Sequence, residues 1–300
     1  MTWYLWVFLS MIAGSFETVI DKVIVIKKPE KIDVLIATFY RNFGFFVLMT
    51  LVGFLGFFGE LGFVFNIPFL ILAIIWPLNS FAYDYFLRNI EVSRFNGIFY
   101  VFPLIFLFVD TVFFHGRYST VQVVGILFLV LGAVLFSIEA TTKKFIFSLK
   151  TLFWIFIRMI PQIYLLVVYK YYSNSVNDVS FFFSVWAMLT VIYVVAIVVT
   201  KKYQKLKETA LADQFLAKTF LAKGFDVLSS IFYLEAIGIA SLTAVSAFNS
   251  FSPLIMLIVL LCTSLFTRIN IAEDFSRKTL VLKIIAAVTL ITGGICMFAV

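Results

Sequence analysis

Long apolar runs fill most of the chain, and short polar connections separate them. A helix needs about 20 mostly apolar residues to cross the hydrocarbon core of a bilayer. Ten runs approach or meet this length, and runs such as 284–299 lack the alternation expected of barrel strands. The pattern therefore predicts an all-α membrane protein with ten transmembrane helices. These span residues 3–25, 33–55, 67–87, 93–114, 119–138, 148–170, 179–200, 214–236, 241–265 and 279–299.

Part of the first half of the chain recurs in the second half. Trp76, Asn79, Ser80 and Tyr83 recur as Asp226, Ser229, Ser230 and Tyr233, and Pro103-Leu104-Ile105 recurs as Pro253-Leu254-Ile255. An odd number of helices per half turns the second copy upside down relative to the first. The sequence thus predicts two inverted five-helix repeats, residues 1–140 and 141–300, a plan that many secondary transporters share.

Composition supports the membrane assignment. The chain is 63% hydrophobic and 13% charged, whereas soluble domains are about 25% charged. The net charge of +7 does not indicate nucleic-acid binding, because Lys and Arg cluster in short connections. The odd-numbered connections hold fifteen of them and the even-numbered connections two. The positive-inside rule then puts the odd connections in the cytoplasm and both termini outside. The longest connection, near 201–213, is expected to lie along the lipid headgroups.

No catalytic or metal-binding motif is recognisable. The sequence contains no phosphate-binding loop, zinc-protease motif, nucleophile elbow or dinucleotide fingerprint. Cys262, Cys296 and the only histidine, His115, form neither a disulfide framework nor a metal site. We therefore expect no enzyme activity and no cofactor, and transport driven by a gradient rather than by ATP.

Polar residues follow single faces of some predicted helices. The first, third, fourth, sixth, eighth and ninth helices carry them, whereas the fifth and tenth are almost wholly apolar. Polar groups in lipid turn toward other helices or a wet cavity. We expect the six polar helices to surround a substrate cavity and the other four to pack at its edge. The alternative is that Ser and Asn only join helices. The candidate substrate-binding residues are Trp76, Asn79, Ser80, Tyr83, Asn96, Tyr100, Arg158, Gln162, Ser229, Ser230, Tyr233, Ser246 and Asn249.

Ionisable residues within the predicted helices suggest a coupling site. Glu17 and Asp226 lie well inside their helices, so either could bind a proton or cation. The alternative is a structural salt bridge to Arg158 or Arg41. Arg158 could bind an anionic group of a substrate or neutralise Glu17.

Other acids lie nearer helix ends. We expect Asp21 and Asp84 at the level of the lipid headgroups, and a structural role for Asp110 and Glu235.

The arrangement resembles the EamA branch of the drug/metabolite transporter superfamily. The similar features are the 85–93 region, Pro103, the 114–117 turn and the helix with Gly125 and Gly132, echoed by Tyr233, Ser241, Pro253 and Gly293. Arg41 resembles an arginine common in the second helix of that family, but the usual Gly-Glu-Arg turn lacks its glutamate here. Phe16-Glu17 also resembles small multidrug resistance relatives, whose first-helix glutamate binds protons and cations. Members commonly have both termini in the cytoplasm, against the charge count.

The leading hypothesis is a secondary transporter in the cell membrane. It would export small organic metabolites such as amino acids by alternating access, with membrane lipid around it and possible proton coupling through Glu17 or Asp226. One alternative is a flippase for lipids or lipid-linked sugars with a basic headgroup site near Arg88 and Arg94. Others are a multidrug efflux carrier and a scaffold that transports nothing, which would not need matched polar faces.

Overall fold

The computed structural model describes residues 2–27, 33–56, 58–89, 102–136, 149–211, 215–267 and 277–298. Over these ranges the chain forms helices and no strand. The helices are α1 (Trp3–Lys27), α2 (Val34–Leu55), α3 (Ile67–Asn89), α4 (Phe102–Phe113), α5 (Thr120–Phe136), α6 (Leu149–Tyr172), α7 (Asp178–Val199), α8 (Tyr203–Leu211), α9 (Phe215–Ile239), α10 (Leu242–Asn249), α11 (Ser252–Thr267) and α12 (Arg277–Phe298).

The helix bounds agree with the apolar pattern over the described residues, with two differences; the first part of the fourth predicted helix, 93–101, lies outside them. The connection at 201–213 contains the short helix α8, and the ninth predicted helix is broken into α10 and α11. Proline is tolerated in the first turn of a helix but interrupts a helix interior. Pro253 is the second residue of α11, and Pro103 is the second residue of α4. Pro253 therefore lies at the start of a new helix within the ninth predicted helix.

Local caps fix several helix ends. The Asp33 carboxylate accepts hydrogen bonds from the backbone N–H groups of Leu35 and Ile36 at the start of α2. Gly56 ends that helix with a positive φ of 69°, which glycine adopts without a Cβ clash. Ser241 caps α10 in the same way as Asp33 caps α2, through the N–H of Ala244.

Six stretches of helix are long and apolar enough to cross a membrane: Val34–Leu55, Ile67–Asn89, Phe153–Tyr172, Asp178–Val199, Leu242–Thr263 and Lys278–Met297. Helices α4 and α5 are apolar but shorter. Large apolar side chains remain exposed along α12, including Ile284, Val288 and Ile291. Such a surface suits lipid contact, so the protein is a helical membrane protein.

The chain divides into two compact units. The first comprises residues 1–15, 90–155 and 235–300, and the second comprises residues 16–89 and 156–234. Each unit therefore combines segments from both predicted repeats. The units are not the halves 1–140 and 141–300, whose repeat relationship stays a prediction.

Helices α5 and α12 form the core of the first unit. A methyl group built on Gly125 would lie 2.6 Å from the backbone nitrogen of Met297, and one on Gly293 would lie 2.7 Å from that of Leu129. These glycines let the two backbones approach closely, as small residues do in membrane helix pairs. Around them pack the buried side chains of Ile126, Leu129, Ala133, Phe136, Ala286, Leu290 and Met297.

Aromatic side chains pack helices α2, α3 and α7 together in the second unit. The ring of Trp186 on α7 lies 4.7 Å from that of Phe45 and 5.0 Å from that of Trp76, measured between centroids. Aromatic pairs at these distances add stabilisation beyond the area they bury. This contact fixes α3, which carries the first polar stripe, against α2 and α7.

Candidate functional site

A buried ion-pair network occupies the second unit, where α1, α2, α3 and α9 meet. One part, which we name the Arg41 triad, consists of Asp21, Arg41 and Asp84. Nη1 of Arg41 lies 3.0 Å from a carboxylate oxygen of Asp84, and its Nε lies 3.7 Å from one of Asp21. The Asp84 carboxylate also accepts a hydrogen bond from Nε of Arg88, one helical turn later, at 2.7 Å.

The second part, the Lys223 triad, consists of Glu17, Lys223 and Asp226. The Lys223 ammonium on α9 lies 2.5 Å from Oε1 of Glu17 on α1 and 2.8 Å from Oδ2 of Asp226. It also lies 3.8 Å from Oδ2 of Asp21. Lys223 therefore connects the two triads, and each of the four acids lies within 4 Å of a base.

Exposure separates the two triads. The side chains of Asp21, Asp84 and Arg41 are 0%, 2% and 6% exposed. In the Lys223 triad, Lys223 is 7% exposed, much like Arg41, but Asp226 is 26% exposed and Glu17 is 14% exposed. A fully enclosed pair can only hold helices together, whereas a partly open pair can exchange its partner. The Arg41 triad is thus a structural ion pair, and the Lys223 triad is the candidate site.

Tyr83 joins the network to a second arginine. Its hydroxyl donates a hydrogen bond to Oδ2 of Asp21 at 3.2 Å, and the guanidinium carbon of Arg158 lies 4.8 Å from its ring centroid. The guanidinium carbon of Arg41 lies 5.8 Å from the same centroid. Arginine within about 6 Å of an aromatic ring makes a cation–π contact. Arg158 on α6 therefore lies beside Tyr83. Both residues are among the substrate-binding residues predicted from the sequence.

The third-helix stripe consists of Trp76, Asn79, Ser80 and Tyr83. Trp76 and Asn79 are buried, and Ser80 and Tyr83 are partly buried. Oγ of Ser80 accepts a hydrogen bond from Asn42 at 3.3 Å, and Trp76 packs on Trp186. Asn79 is 6% exposed, and its side-chain oxygen has no hydrogen-bond partner among the described residues. A buried acceptor of this kind costs free energy unless a ligand or water satisfies it. Asn79 is therefore the member of this stripe that is best suited to a substrate.

The matching polar residues of the eighth predicted helix, Asp226, Ser229, Ser230 and Tyr233, lie on α9. Oγ of Ser230 donates a hydrogen bond to Oδ1 of Asp226 at 3.4 Å, so Ser230 adjoins the Lys223 triad. Ser229 and Tyr233 are partly buried on the same helix, and Gln162 is partly buried on α6, one turn after Arg158.

In the described part of the structure, no contact joins the remaining predicted substrate residues to this network. Ser246 and Asn249 lie on α10 in the first unit. Asn96, Tyr100 and Arg94 lie outside the described residues. The predicted grouping of all thirteen substrate residues around one cavity stays a prediction.

Two features differ from the sequence expectations, the cation that pairs with the acids and the part played by the second helix. The cation that contacts Glu17 and Asp226 is Lys223, a residue that the sequence analysis missed, rather than Arg158 or Arg41. Lys223 lies three residues before Asp226, where helical geometry makes the two side chains neighbours, and this spacing could have identified it. Asp21 and Asp84 are fully buried within the protein, and their expected position at headgroup level stays a prediction. The second helix, expected at the edge, contributes Arg41.

Asp110 has the structural role expected of it. Its carboxylate Oδ2 accepts hydrogen bonds from the backbone N–H of Thr243 at 2.7 Å and from the Tyr118 hydroxyl at 2.8 Å. A carboxylate at a helix N-terminus satisfies free N–H groups and the helix dipole. Asp110 therefore fixes the start of α10 against the turn that follows α4.

A cavity of about 400 Å³ lies in the first unit. Its lining contains none of the candidate substrate residues; it is formed by Trp3, Gly116, Arg117, Tyr118, Gln122, Ser241, Ala244 and Met297. Burial raises the pKa of Tyr118 to about 12, and the nearby Asp110 carboxylate acts in the same direction, against hydrogen bonds with Ser241 and Thr243. Tyr118 is thus a neutral hydrogen-bonding group at physiological pH. Among the described residues, no group of three or more His, Cys, Asp or Glu side chains is placed to hold a metal ion.

Comparison of the chain with protein-family models finds no match, and comparison with curated proteins finds none either.

Proposed function

We propose that this protein is a secondary transporter of the cell membrane that exports small organic metabolites such as amino acids by alternating access. The observation that carries the proposal is the Lys223 triad, a partly open ion-pair site on α1 and α9, two long helices that pack in a membrane protein but are not among its six stretches long and apolar enough to cross a membrane. Charges within membrane helices are costly and usually mark substrate, ion or proton pathways. The neighbouring Arg41 triad differs from it, because its three charged side chains are fully enclosed by protein.

Helix packing supports the inverted repeat on which alternating access depends. The repeat equates the second predicted helix with the seventh, the fourth with the ninth, and the fifth with the tenth. In the structure α2 packs on α7, α4 on α10, and α5 on α12. A two-fold relation between halves brings equivalent helices together near its axis, which is how such transporters are built. Pro103 and Pro253 hold the same position, the second residue of a helix, in both copies.

The broken ninth helix also favours transport. Helix α10 ends at Asn249 and α11 begins at Ser252 within one apolar stretch. Discontinuous membrane helices expose backbone groups and helix ends that can bind a substrate or ion. The resemblance to EamA transporters, which includes these prolines and the glycines of α5 and α12 among its features, implies ten crossings and this activity.

Glu17 and Asp226 are the groups that we propose for coupling. A proton on Glu17 removes one of the two negative charges closest to Lys223. The ammonium then keeps its contact with Asp226 on α9, and its ionic attraction to α1 is reduced to the longer contact with Asp21 at 3.8 Å. Protonation would thus loosen one helix from another, which is the event that an alternating-access cycle requires.

Transport by purified protein in proteoliposomes tests this function. We expect the wild type to move labelled amino acids in response to a pH gradient. Glu17→Gln should abolish this uptake while the yield of folded protein stays the same, because glutamine matches the shape of glutamate but carries no titratable proton. Glu60→Gln, in the exposed connection between α2 and α3, is the matched control and should transport normally.

Two outcomes would count against the proposal. Wild-type rates in Glu17→Gln would rule out Glu17 as the coupling site. No movement of any amino acid or related metabolite by the wild type, in either direction and with or without a gradient, would rule out the carrier itself.

A further inference from the structure

The Lys223 ammonium occupies a position built for a primary ammonium ion. Carboxylate oxygens of Glu17 and Asp226 lie 2.5 and 2.8 Å from it, and one of Asp21 lies at 3.8 Å. A primary ammonium group has three N–H donors and no acceptor. Two of these donors are met within hydrogen-bond distance, by Glu17 on α1 and Asp226 on α9, and the Asp21 carboxylate on α1 lies just beyond that distance.

The three side chains in direct contact carry a net negative formal charge, and Arg158, stacked on the ring of Tyr83, adds a positive charge to the network. Glu17 and Asp226 contribute −2 and Lys223 contributes +1, so these formal charges sum to −1. Asp21 is compensated separately, through Arg41 at 3.7 Å. The 26% exposure of Asp226 gives a cation access to the Lys223 triad.

The side chain of Lys223 can move toward Asp21 when another cation binds. Its stem runs along the small residue Gly44 of α2, where a methyl group would lie 3.6 Å from Cγ of Lys223. Its ammonium is only 3.8 Å from Asp21. A small movement along this glycine surface transfers the ammonium from Glu17 and Asp226 toward Asp21.

We propose that Lys223 is a specificity-determining residue that occupies the position of the substrate ammonium group. This inference rests on the proposed transport function and names its substrate class, small molecules that carry a primary ammonium group. In the unloaded protein, Lys223 holds α1 and α9 together through the two acids. A substrate ammonium takes over these carboxylates and displaces Lys223 toward Asp21. Quaternary ammonium ions are excluded because they have no N–H donors.

Chemical rescue of a lysine-deleted variant tests the assignment without requiring transport. Lys223→Ala removes the tethered ammonium and leaves space beside two carboxylates. We expect its melting temperature in detergent to fall, and to rise again by several degrees, in a saturable way, when n-propylammonium is added. Tetramethylammonium at the same ionic strength should have no such effect. Neither ion should raise the melting temperature of Lys207→Ala, which removes an exposed lysine on α8.

The rescue must depend on the acids. In Lys223→Ala combined with Glu17→Gln and Asp226→Asn, n-propylammonium should no longer stabilise the protein. Equal effects of the two ammonium ions on Lys223→Ala, or no effect of either, would overturn the inference. If Lys223→Ala gives no folded protein, Lys223→Gln, which retains most of the stem against Gly44, is titrated in the same way and judged by the same outcomes.

This experiment separates the inference from the proposed function. Rescue by n-propylammonium in a protein that moves no metabolite would keep the ammonium site and reject the carrier. Transport without rescue would keep the carrier and reject the role of Lys223.

Discussion

The ammonium of Lys223 on α9 lies 2.5 Å from a carboxylate oxygen of Glu17 on α1, and 2.8 Å from one of Asp226 on its own helix. The contact with Glu17 joins residues 206 positions apart in sequence. It converts three charges that would each be unfavourable in lipid into one network. The first prediction concerns how much of the stability of the protein depends on that balance.

Removing Lys223 alone should destabilise the protein more than removing Lys223 and Glu17 together. Lys223→Met leaves two carboxylates without their shared cation, and losing one partner of a buried pair costs about 3–5 kcal/mol. Because Asp226 is partly exposed, we expect the low end of this range. The double variant Lys223→Met with Glu17→Gln should regain part of the loss. Melting temperatures in detergent measure both effects, with Lys207→Met as the control; additive effects of the two substitutions would contradict coupling.

The second prediction compares two arginines that share Asp84. Arg41 is 6% exposed and contacts both Asp21 and Asp84, whereas Arg88 is 24% exposed. Arg41→Met should cost about 3–5 kcal/mol because it leaves buried carboxylates unpaired. Arg88→Met should cost about 1 kcal/mol or less, as partly exposed pairs do. Thermal unfolding of the two variants in the same detergent distinguishes them, and similar losses would show that the Arg41 triad is not the buried anchor.

Two glycines should respond oppositely to the same substitution. A methyl group at Gly125 would meet backbone atoms of α12 at 2.6–3.1 Å, whereas one at Gly224 would meet nothing within 4 Å. Gly125→Ala must push α5 away from α12 and should lower the melting temperature by several degrees. Gly224→Ala should be neutral or stabilise by up to about 1 kcal/mol, because alanine favours the helix. A stable Gly125→Ala variant would contradict the close helix contact.

The fourth prediction concerns pH and the start of α2. Burial alone would raise the pKa of Asp33, but hydrogen bonds from Lys202, the Ile36 backbone N–H and Lys205 outweigh it and lower the pKa below 3.8. A lowered pKa means that Asp33 stabilises the folded state fully above its unfolded pKa and loses this contribution as pH falls through the folded value. The difference in melting temperature between wild type and Asp33→Asn should therefore be constant near neutral pH and shrink below about pH 4.

The matching control for Asp33 is on α8. Lys207, exposed on the same short helix as Lys205, should show no pH-dependent difference in this range when replaced by Met. An Asp33→Asn difference that grows toward low pH would reverse the sign and refute the assignment.

Much of the helical architecture could be predicted from local sequence. Apolar runs such as those of α2, α7 and α12 fix their own extent, because a helix that satisfies its backbone internally is the stable form of such a run in lipid. Their bounds in the structure lie within a few residues of those predicted. The break before Ser252 was harder to foresee, since Pro253 is compatible with either a kink or a new helix start.

The sequence by itself determined that this is a helical membrane protein, where its helices lie, and that Glu17, Tyr83, Arg158 and Asp226 are unusual for their surroundings. Only the tertiary structure decided which charges are partners. Lys223 meets Glu17, and Arg41 meets Asp21 and Asp84, through contacts between helices distant in sequence. A charge within an apolar helix indicates that the helix has a charged or polar partner. The sequence does not identify that partner, because the Coulomb energy depends on the distance between the two charges in space. The partner is therefore chosen by how the helices pack.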